Sequence, residues 1–358
     1  MTTIPKTPSP LRQVLNILVA LFLIWTGAYA LSIDGFLLLR FMIGERWWII
    51  ALFNSFIHLM VLPALILLPL VLILAPPGVG FNRQRKIGIA LLLVPAVIAT
   101  LIWYAPGFLS KNLNDARALA ADSPTLSVLS FNITSGATDV DEIADLILGL
   151  DADVVALQEL SIAAASMLQA QLSTVYPYDA LVPDGNSKHG AGIFSRFPIL
   201  DANSFIDVQN KVNQRAEIDF NNGRIVVYNL HLIYPFGNNF ARRAAATQDI
   251  MSRTQAETLP VILLGDFNMT PQSEDYAQLI AAFNDAFMEA GSGTGFTYAP
   301  VYTNIVPRFI TVGRNLPLAR IDYIFYSDGF SIIDMQVIDE TAGSDHHPVF
   351  ARFGVDTP

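Results

Sequence analysis

Two short motifs in the last third of the chain carry the residue types that hydrolyse phosphate esters. The first, Gly-Asp-Phe-Asn at 265–268, follows the apolar run 261–264, and the second, Ser-Asp-His-His-Pro, occupies 344–348. Asp266 and Asn268 lie two residues apart, so strand alternation would place both side chains on one face. Carboxylate and carboxamide oxygens suit Mg²⁺, which retains water ligands beside a bound phosphate. The pattern therefore predicts metal-assisted attack of water on a phosphoester.

Histidines beside carboxylates supply the proton carriers that such a reaction needs. His346 directly follows Asp345, and Asp322 lies in the Arg-Ile-Asp-Tyr motif at 320–323, on another apolar run. An imidazole that is oriented by a carboxylate is suited to act as a general base. His231 closes a further apolar run, and functional residues gather where such strands end. We therefore expect these side chains to meet in one site.

Two earlier apolar runs also end in polar side chains, but each has an ordinary structural explanation. Asn132 ends the run Leu-Ser-Phe-Asn, and an Asn at a strand end usually belongs to a turn. Glu159 follows the apolar run that starts at Val154. Burial of an unpaired carboxylate is costly, which favours a functional role for Glu159. A surface Glu at the end of a strand explains the same pattern equally well.

The elements that must position these residues are strands alternating with amphipathic helices. Thr270 and Pro271 suit a helix start, because a hydroxyl can cap the helix and Pro is favoured at its first position. The mixture predicts an α/β sheet domain with helices packed outside. The predicted strands are 126–131, 154–158, 191–194, 216–220, 224–230, 261–264, 320–326, 330–337 and 349–353, and the predicted helices are 140–150, 162–172, 240–254 and 273–282.

Taken in order, these motifs resemble the endonuclease/exonuclease/phosphatase superfamily. The series is Phe-Asn, Leu-Gln-Glu, Asn-x-His-Leu, Gly-Asp-Phe-Asn, Arg-Ile-Asp-Tyr and Ser-Asp-His, and it covers about 124–355. The superfamily includes deoxyribonuclease I-like nucleases, abasic-site endonucleases, neutral sphingomyelinases and inositol-phosphate phosphatases. The resemblance implies two stacked mixed β-sheets flanked by helices, a four-layer α/β sandwich, with the site at the top of the sandwich.

The resemblance also implies a metal centre of Mg²⁺, or Mn²⁺ in its place, with one ion or two. Glu159 matches the principal metal ligand of the family, with Asn132 and Asp345 contributing. The family also has members in which further ions take part, so the number of ions stays open. A divalent-metal phosphoesterase is the activity that this ligand set implies.

The remaining motif positions match residues that act on water and phosphate in the family. Asp266 would position or deprotonate the attacking water, and Asn268 would hold a phosphate oxygen. His346 would pair with Asp322 and contact the phosphate, and His231 would be a second phosphate-facing imidazole. Whether Asp266 or His346 is the base stays open, because mechanisms within the family differ on this point.

Two segments depart from the usual family pattern. The common Asn-Thr-His-Leu reads Asn-Leu-His-Leu at 229–232, which keeps the histidine and loses a hydroxyl. Lys188-His189-Gly190 stands where many members have Gly-Asn. His189 is therefore a further candidate for substrate binding, with a solvated loop histidine as the alternative.

The first third of the chain has a different composition and predicts membrane helices. The chain is 53% hydrophobic and 15% charged, against about 25% charged in soluble domains. Residues 1–110 carry a net charge of +5, which leaves −15 for 111–358. About 20 apolar residues cross a bilayer, so we predict a membrane region at 1–110, a linker at 111–124 and a catalytic domain at 125–358. The three predicted transmembrane helices are at about 13–33, 49–75 and 87–107.

Basic residues predict the orientation of these helices. They precede the first helix and fill the loop 76–86 before the third. The positive-inside rule then puts the N-terminus in the cytoplasm and the catalytic domain outside it, with the cell (inner) membrane as the expected location. Ala28-Tyr29-Ala30 resembles a signal-peptidase site, although we favour a retained first helix. The chain contains no cysteine, which excludes disulfides and thiol chemistry.

Three hypotheses follow for the function. The first is a phosphodiesterase or phosphatase that acts on a lipid head group or small phosphoester outside the cytoplasm. The second is a surface-tethered nuclease, with Arg242, Arg243, Arg308 and Arg314 in a nucleic-acid groove. The acidic balance disfavours nucleic acid, because tight binding relies on Lys and Arg. In the third hypothesis the helices transport or signal and the outer domain only binds, which the full set of motifs argues against. The oligomeric state is not determined by any of these features.

Overall fold

The computed structural model describes residues 9–74, 83–109, 111, 113–114, 123–134, 139–185, 188–206, 211–234, 237, 239–299 and 317–355. The chain forms two compact units, Met1–Pro106 and Gly107–Pro358. We call the first the helical unit and the second the sheet unit. The described secondary-structure elements of the first are all helices, whereas the second contains every described strand.

Among its described residues, the helical unit has two helices that are long and apolar enough to cross a membrane, Pro10–Ile43 and Arg83–Phe108. A third span exists if the bent pair Trp48–Ser55 and Ile57–Ile73, with 68° between its halves, counts as one. The helices of this unit are α1 (Pro10–Ile43), α2 (Trp48–Ser55), α3 (Ile57–Val61), α4 (Ala64–Ile73) and α5 (Arg83–Tyr104), and a 3₁₀ helix, Ala105–Phe108, follows α5.

The predicted bounds of the first two spans differ from the structure. Helix α1 runs ten residues past the predicted end at 33, because the apolar residues 36–39 continue the helix beyond Asp34 and Gly35. Gly44 has φ 60° and ends the helix, where its N–H donates to the Arg40 carbonyl. The second predicted helix is interrupted at Phe56 instead of being continuous. Asn54, just before the interruption, donates to the Glu45 carboxylate at 2.6 Å in a buried contact.

The sheet unit contains two six-stranded mixed sheets, and the predicted α/β sandwich is confirmed. With the strands numbered along the chain, as the next sentence gives them, the first sheet has the order β11-β12-β1-β2-β4-β3 and the second β5-β6-β7-β8-β10-β9. The strands behind these labels are β1 (Thr125–Asn132), β2 (Val154–Gln158), β3 (Tyr178–Val182), β4 (Ala191–Ser195), β5 (Ile199–Ile206), β6 (Val212–Phe220), β7 (Gly223–His231), β8 (Val261–Asp266), β9 (Asn284–Asp285), β10 (Asp322–Tyr326), β11 (Phe330–Val337) and β12 (Val349–Val355).

Strand alternation divides the apolar side chains into three clusters, which define the four layers. One cluster lies between the sheets, where Val128 and Ala156 of the first sheet pack with Ile262 and Leu264 of the second. The outer face of the first sheet packs on helices, and the outer face of the second does the same. The helices are α6 (Val140–Leu150), α7 (Ile162–Leu172), α8 (Asn239–Gln255), α9 (Glu274–Ile280) and α10 (Ala286–Ala290).

Strand register brings the ends that carry the motifs to one edge. Strands β1 and β2 are parallel, with Asn132 opposite Gln158. Strands β7 and β8 are also parallel, with His231 opposite Asp266. Strand β10 runs antiparallel to β8 and places Asp322, its first residue, opposite Asp266.

Helix α9 begins where the predicted helix 273–282 starts, and not at the start signal Thr270 and Pro271. Its N-cap is Ser273, whose hydroxyl accepts the Tyr276 N–H at 3.1 Å. Thr270 instead forms a turn in which its carbonyl accepts the Ser273 N–H at 2.9 Å. The predicted start at Thr270 and Pro271 is therefore wrong, because a second hydroxyl three residues later caps the helix.

A buried ion pair joins the motif residue Arg320 to Asp285. The guanidinium donates to both carboxylate oxygens, at 2.8 and 3.1 Å, and both side chains are 3% exposed. Tyr276 donates its hydroxyl to the same carboxylate at 2.7 Å. The Arg320 guanidinium also lies over the Phe287 ring, 4.9 Å from its centroid. Arg320 is therefore a structural member of its motif.

We expect Arg320→Met to destabilise the sheet unit by about 3–5 kcal/mol, because it leaves the Asp285 carboxylate buried without its cation. The matched control is Arg224→Met, which removes a pair between an arginine 61% exposed and Glu217. The control should cost less than about 1 kcal/mol. Pulse proteolysis of the full-length protein in a urea series measures both. Equal midpoints for the two variants would contradict the expectation.

Candidate active site

Several of the predicted site residues meet around the Asp266 carboxylate, which is almost fully buried. We call this group of side chains, with Asn132, His231, Asn268, Asp322 and His346, the cluster. One of the Asp266 oxygens, Oδ2, accepts hydrogen bonds from the side-chain amides of Asn132 and Asn268, each at 3.0 Å. The other, Oδ1, accepts the backbone N–H of Asn268 at 2.9 Å. Both oxygens are therefore held in fixed positions by neutral donors.

The backbone conformations of Gly265 and Asn268 allow these hydrogen bonds to Asp266. Gly265 has φ 144°, and a Cβ there would overlap the Leu230 carbonyl oxygen of the neighbouring strand. Asn268 has φ 48°, a left-handed conformation that Asn adopts more readily than most residues. Its amide also donates to the Leu232 carbonyl at 2.9 Å. The Gly-Asp-Phe-Asn motif thus turns back on itself so that Asn268 faces Asp266.

Arg243 stabilises the same turn from the protein interior. It is therefore not part of a nucleic-acid surface. Its side chain is 1% exposed and pairs with Asp275 at 2.7 Å. Its Nη1 donates to the Asn268 carbonyl at 2.8 Å. The predicted role of Arg243 in a nucleic-acid groove is therefore wrong, whereas Arg242 is exposed. Arg308 and Arg314 lie outside the described residues.

His346 and Asp322 form a buried pair. His346 Nδ1 lies 2.9 Å from Asp322 Oδ2 and 3.1 Å from Oδ1, so this nitrogen carries the donated proton. The other nitrogen, Nε2, is 3.9 Å from Asp266 Oδ2. The Tyr298 ring packs against the imidazole, with 5.1 Å between centroids.

Burial and charge act in opposite directions on this pair. Burial disfavours the imidazolium, but the carboxylates of Asp322 and Asp266 outweigh it and raise the pKa of His346 to about 10. Burial raises the pKa of Asp266 to about 7, while the imidazolium of His346 opposes that rise. A carboxylate that titrates near neutral pH beside an imidazolium is suited to proton transfer.

His231 lies on the opposite side of Asp266, with Nε2 3.4 Å from Asp266 Oδ2 and 3.9 Å from Glu159 Oε1. Its backbone N–H donates to Asn213 Oδ1 at 2.9 Å. Burial, followed by the charge of Lys211, holds the pKa of His231 well below its usual value. The imidazole is therefore neutral in this environment.

Lys211 is a site residue that the sequence analysis did not single out. Its ammonium contacts the Nε2 of His231, and its side chain is largely buried. The residue comes just before β6 in a run of polar residues, which is typical of a surface strand edge. No sequence signal distinguishes it from a solvated lysine.

The three predicted metal ligands lie at the same edge. Asn132 Oδ1 accepts the Thr134 N–H at 3.1 Å, which leaves one lone pair of that oxygen for a cation. The Thr134 hydroxyl donates to Asp345, and the Ser344 hydroxyl donates to the Asn132 carbonyl at 2.7 Å.

Asn132, Glu159 and Asp345 carry hard oxygen donors of the kind that a divalent cation prefers, and their role as its ligands stays a prediction. Donor atoms of Asp266, Asp322 and His346 also lie within 4.8 Å of one another, a spacing that suits a metal. Both oxygens of Asp322 face His346 Nδ1, so we interpret Asp322 as the partner of the imidazole.

The two remaining histidines of the sheet unit lie outside this cluster. His189 pairs with Asp184 at 3.3 Å, and both side chains are partly exposed. The His189 carbonyl accepts the N–H of Val212, next to Lys211. His347 Nδ1 lies 2.9 Å from the Ile338 carbonyl, a structural contact. His189 therefore lies outside the cluster, and substrate binding by this residue stays a prediction.

A buried amide bridge beneath the cluster connects the two sheets. Gln158 at the end of β2 donates to Asn229 Oδ1 of β7 at 2.8 Å. Asn229 donates back to the Leu157 carbonyl at 3.0 Å. Both side chains are fully buried. This bridge fixes the distance between the two strand ends that carry Glu159 and His231.

Comparisons with known proteins give the same fold. Solved structures that match include an endonuclease/exonuclease/phosphatase from Beutenbergia cavernae DSM 12333, at 20% identity and TM-score 0.53 over 64% of this chain and 72% of that one. A family protein from Bacteroides thetaiotaomicron matches at 20% identity and TM-score 0.52, over 66% and 100%. D. rerio TDP2 complexed with a single-strand DNA product matches at 19% identity and TM-score 0.51, over 64% and 98%.

At these identities the structural matches show the fold alone. No curated protein matches the chain by sequence. The sequence model of the Endonuclease/Exonuclease/phosphatase family matches residues 129–346, which include every residue of the cluster described above. Because that match covers more than half of the chain, this protein belongs to the endonuclease/exonuclease/phosphatase family.

Proposed function

We propose that this protein is a membrane-anchored, Mg²⁺-dependent phosphoesterase that hydrolyses a lipid head group or small phosphoester outside the cytoplasm. Members of its family are usually divalent-metal-dependent hydrolases of phosphoesters. The observation that carries the proposal is the buried Asp266 carboxylate, held by two amides between His231 and His346. The apolar helices of the helical unit support a membrane anchor.

In this proposal Asn132, Glu159 and Asp345 hold the cation, which neutralises charge on the phosphate oxygens when it is bound. Asp266 accepts a proton from the attacking water. The hydrogen bonds from Asn132 and Asn268 keep its carboxylate aimed at that water, and its raised pKa makes it an effective base near neutral pH.

In this proposal His346 is protonated and supplies a positive charge, while Asp266 is the base. Its imidazolium, held by Asp322 at 2.9 Å, stabilises the negative charge that develops on the phosphoryl oxygens. His231 is neutral and its Nε2 accepts from the Lys211 ammonium, whose remaining protons can be donated to a second phosphate oxygen. Asn268 contributes to catalysis by fixing Asp266.

The substrate class follows from charge and from the anchor. Residues 111–358 carry a net charge of −15, which disfavours a long polyanion. Burial of Arg243 removes one of the cations on which a nuclease groove would depend. The predicted linker at 111–124 is short, so a substrate in or near the bilayer is favoured.

Substitution of the central residues should abolish turnover. We expect Asp266→Asn and His346→Gln in the full-length protein to lower kcat/KM for bis(p-nitrophenyl) phosphate by roughly 10²- to 10⁴-fold. Removal of divalent metal by chelation should have a comparable effect. Asp145→Asn, on the exposed face of α6, is the matched control and should be unaffected. Unchanged Mg²⁺-dependent turnover in the first two variants would disprove the assignment.

The same preparations distinguish the two substrate classes. Phospholipid vesicles and plasmid DNA are offered in parallel, with release of the lipid head group (phosphorylated or free) and strand cleavage as the respective readouts. Turnover of vesicle lipid supports the proposal, and efficient Mg²⁺-dependent cleavage of plasmid without lipid turnover would replace it with the nuclease.

The pH profile tests the Asp322–His346 pair. If His346 acts as an imidazolium, activity is lost as pH rises through its pKa. Asp322→Asn removes the carboxylate that raises this pKa most, so the alkaline limb of kcat/KM should move to lower pH. A profile between about pH 6 and pH 10 measures the shift. An unchanged alkaline limb would show that His346 is not required in its protonated form.

The orientation of the chain can be tested independently. Protease added to intact cells or spheroplasts should remove the sheet unit, because the basic residues of the helical unit favour the cytoplasm. A tag at the N-terminus should be protected in the same sample. Full protection of the sheet unit would reverse the proposed topology.

A further inference from the structure

A groove with mainly apolar walls lies next to the active site, between strands β5 and β6 and helix α8. It encloses about 160 Å³. Leu232 and Ile250 are fully buried beside it, while Ile206 is 64% exposed at its rim. Phe205 and Ala246 complete the apolar lining. The groove is therefore an open apolar space with a well-packed floor.

The groove shares its walls with the catalytic cluster. Leu232 directly follows His231, and its carbonyl accepts the side-chain amide of Asn268 at 2.9 Å. Asn213 also lines the groove, and its Oδ1 accepts the His231 N–H at 2.9 Å. The groove and the cluster therefore meet at the end of β7, and a group attached to a phosphate at the cluster would have to pass around this strand end to enter the groove.

The lining favours an alkyl chain over a nucleobase. Bases bind single-strand proteins by stacking on open aromatic faces. Among the described residues that line the groove Phe205 is the aromatic one, and the Arg253 guanidinium covers its ring, 4.0 Å from the centroid. Its edge packs with Tyr228. The other apolar walls are aliphatic, which suits hydrocarbon.

Charge at the rim fits the same ligand. Asp249 is paired with Arg253 at 2.8 Å, so its carboxylate is offset. Arg242 lines the groove and is exposed, and no described residue forms an ion pair with it. An arginine beside an apolar groove matches a ligand with an anionic group at the end of a hydrocarbon chain.

We propose that this groove binds the alkyl portion of a lipid phosphoester while its phosphate occupies the site at Asp266. The inference rests on the proposed function and specifies its substrate. A dry cavity of about 150 Å³ accommodates benzene, so the groove is large enough for roughly six carbons of a chain.

Three p-nitrophenyl phosphodiesters test the groove in the full-length protein with Mg²⁺: the methyl ester, the hexyl ester and the ester of thymidine 5′-phosphate. We expect kcat/KM for the hexyl ester to exceed that for the methyl ester by roughly 10- to 100-fold, because the chain leaves water. Ala245→Trp places an indole in the mouth of the groove at an exposed helix position. In this variant the ratio of kcat/KM for the hexyl ester to kcat/KM for the methyl ester should be close to one.

The matched control is Ala170→Trp, an exposed alanine on α7, which should keep the wild-type ratio. A wild type that hydrolyses both alkyl esters equally well, or an unchanged ratio in Ala245→Trp, would overturn the groove and leave the phosphoesterase intact. Preference for the thymidine ester would overturn it in favour of nucleic acid. Absence of turnover with all three esters would instead disprove the proposed function, and the groove proposal with it.

Discussion

A carboxylate in a protein interior needs hydrogen-bond donors or cations around it, and Asp266 obtains them from several elements at once. Asn132 reaches it from the end of β1, in the first sheet. Asn268 and His231 approach from the second sheet, and His346 from the segment before β12. Because these elements are distant in sequence, the cluster exists only when the two sheets stack in one register.

The stacking is fixed by features that have no chemistry of their own. The Gln158–Asn229 bridge joins the sheets directly below the cluster with amides that are fully buried. Buried amides are stable only when they are hydrogen-bonded, so a slip of one strand would leave both unpaired. Gly265 adds a second constraint, since any side chain there would collide with Leu230. The same packing that stabilises the fold therefore sets the distances within the site.

The sequence predicts the residues of the cluster better than the elements at its edges. Helices 140–150 and 162–172 have the predicted bounds, because the side chains of Asp139 and Ser161 cap their N-termini. Strands β3 and β5 were not predicted, since both are sheet edges with exposed polar residues and lack an alternating pattern. Lys211 was also missed, because its contact with His231 depends on pairing between distant segments.

The distribution of charge in the sheet unit supports the proposed preference for a single phosphate group over a long polyanion. Six of its described arginines are in ion pairs with its own carboxylates, which are Arg196, Arg215, Arg224, Arg243, Arg253 and Arg320. Six of the eight described arginines of the sheet unit are thus paired internally. What remains at the cluster is local: the Lys211 ammonium and the His346 imidazolium. Two cations and a bound metal are enough to neutralise one phosphate group, whereas a nucleic-acid backbone requires a continuous row of them. The distribution of charge, rather than its total, therefore favours a substrate with a single phosphate.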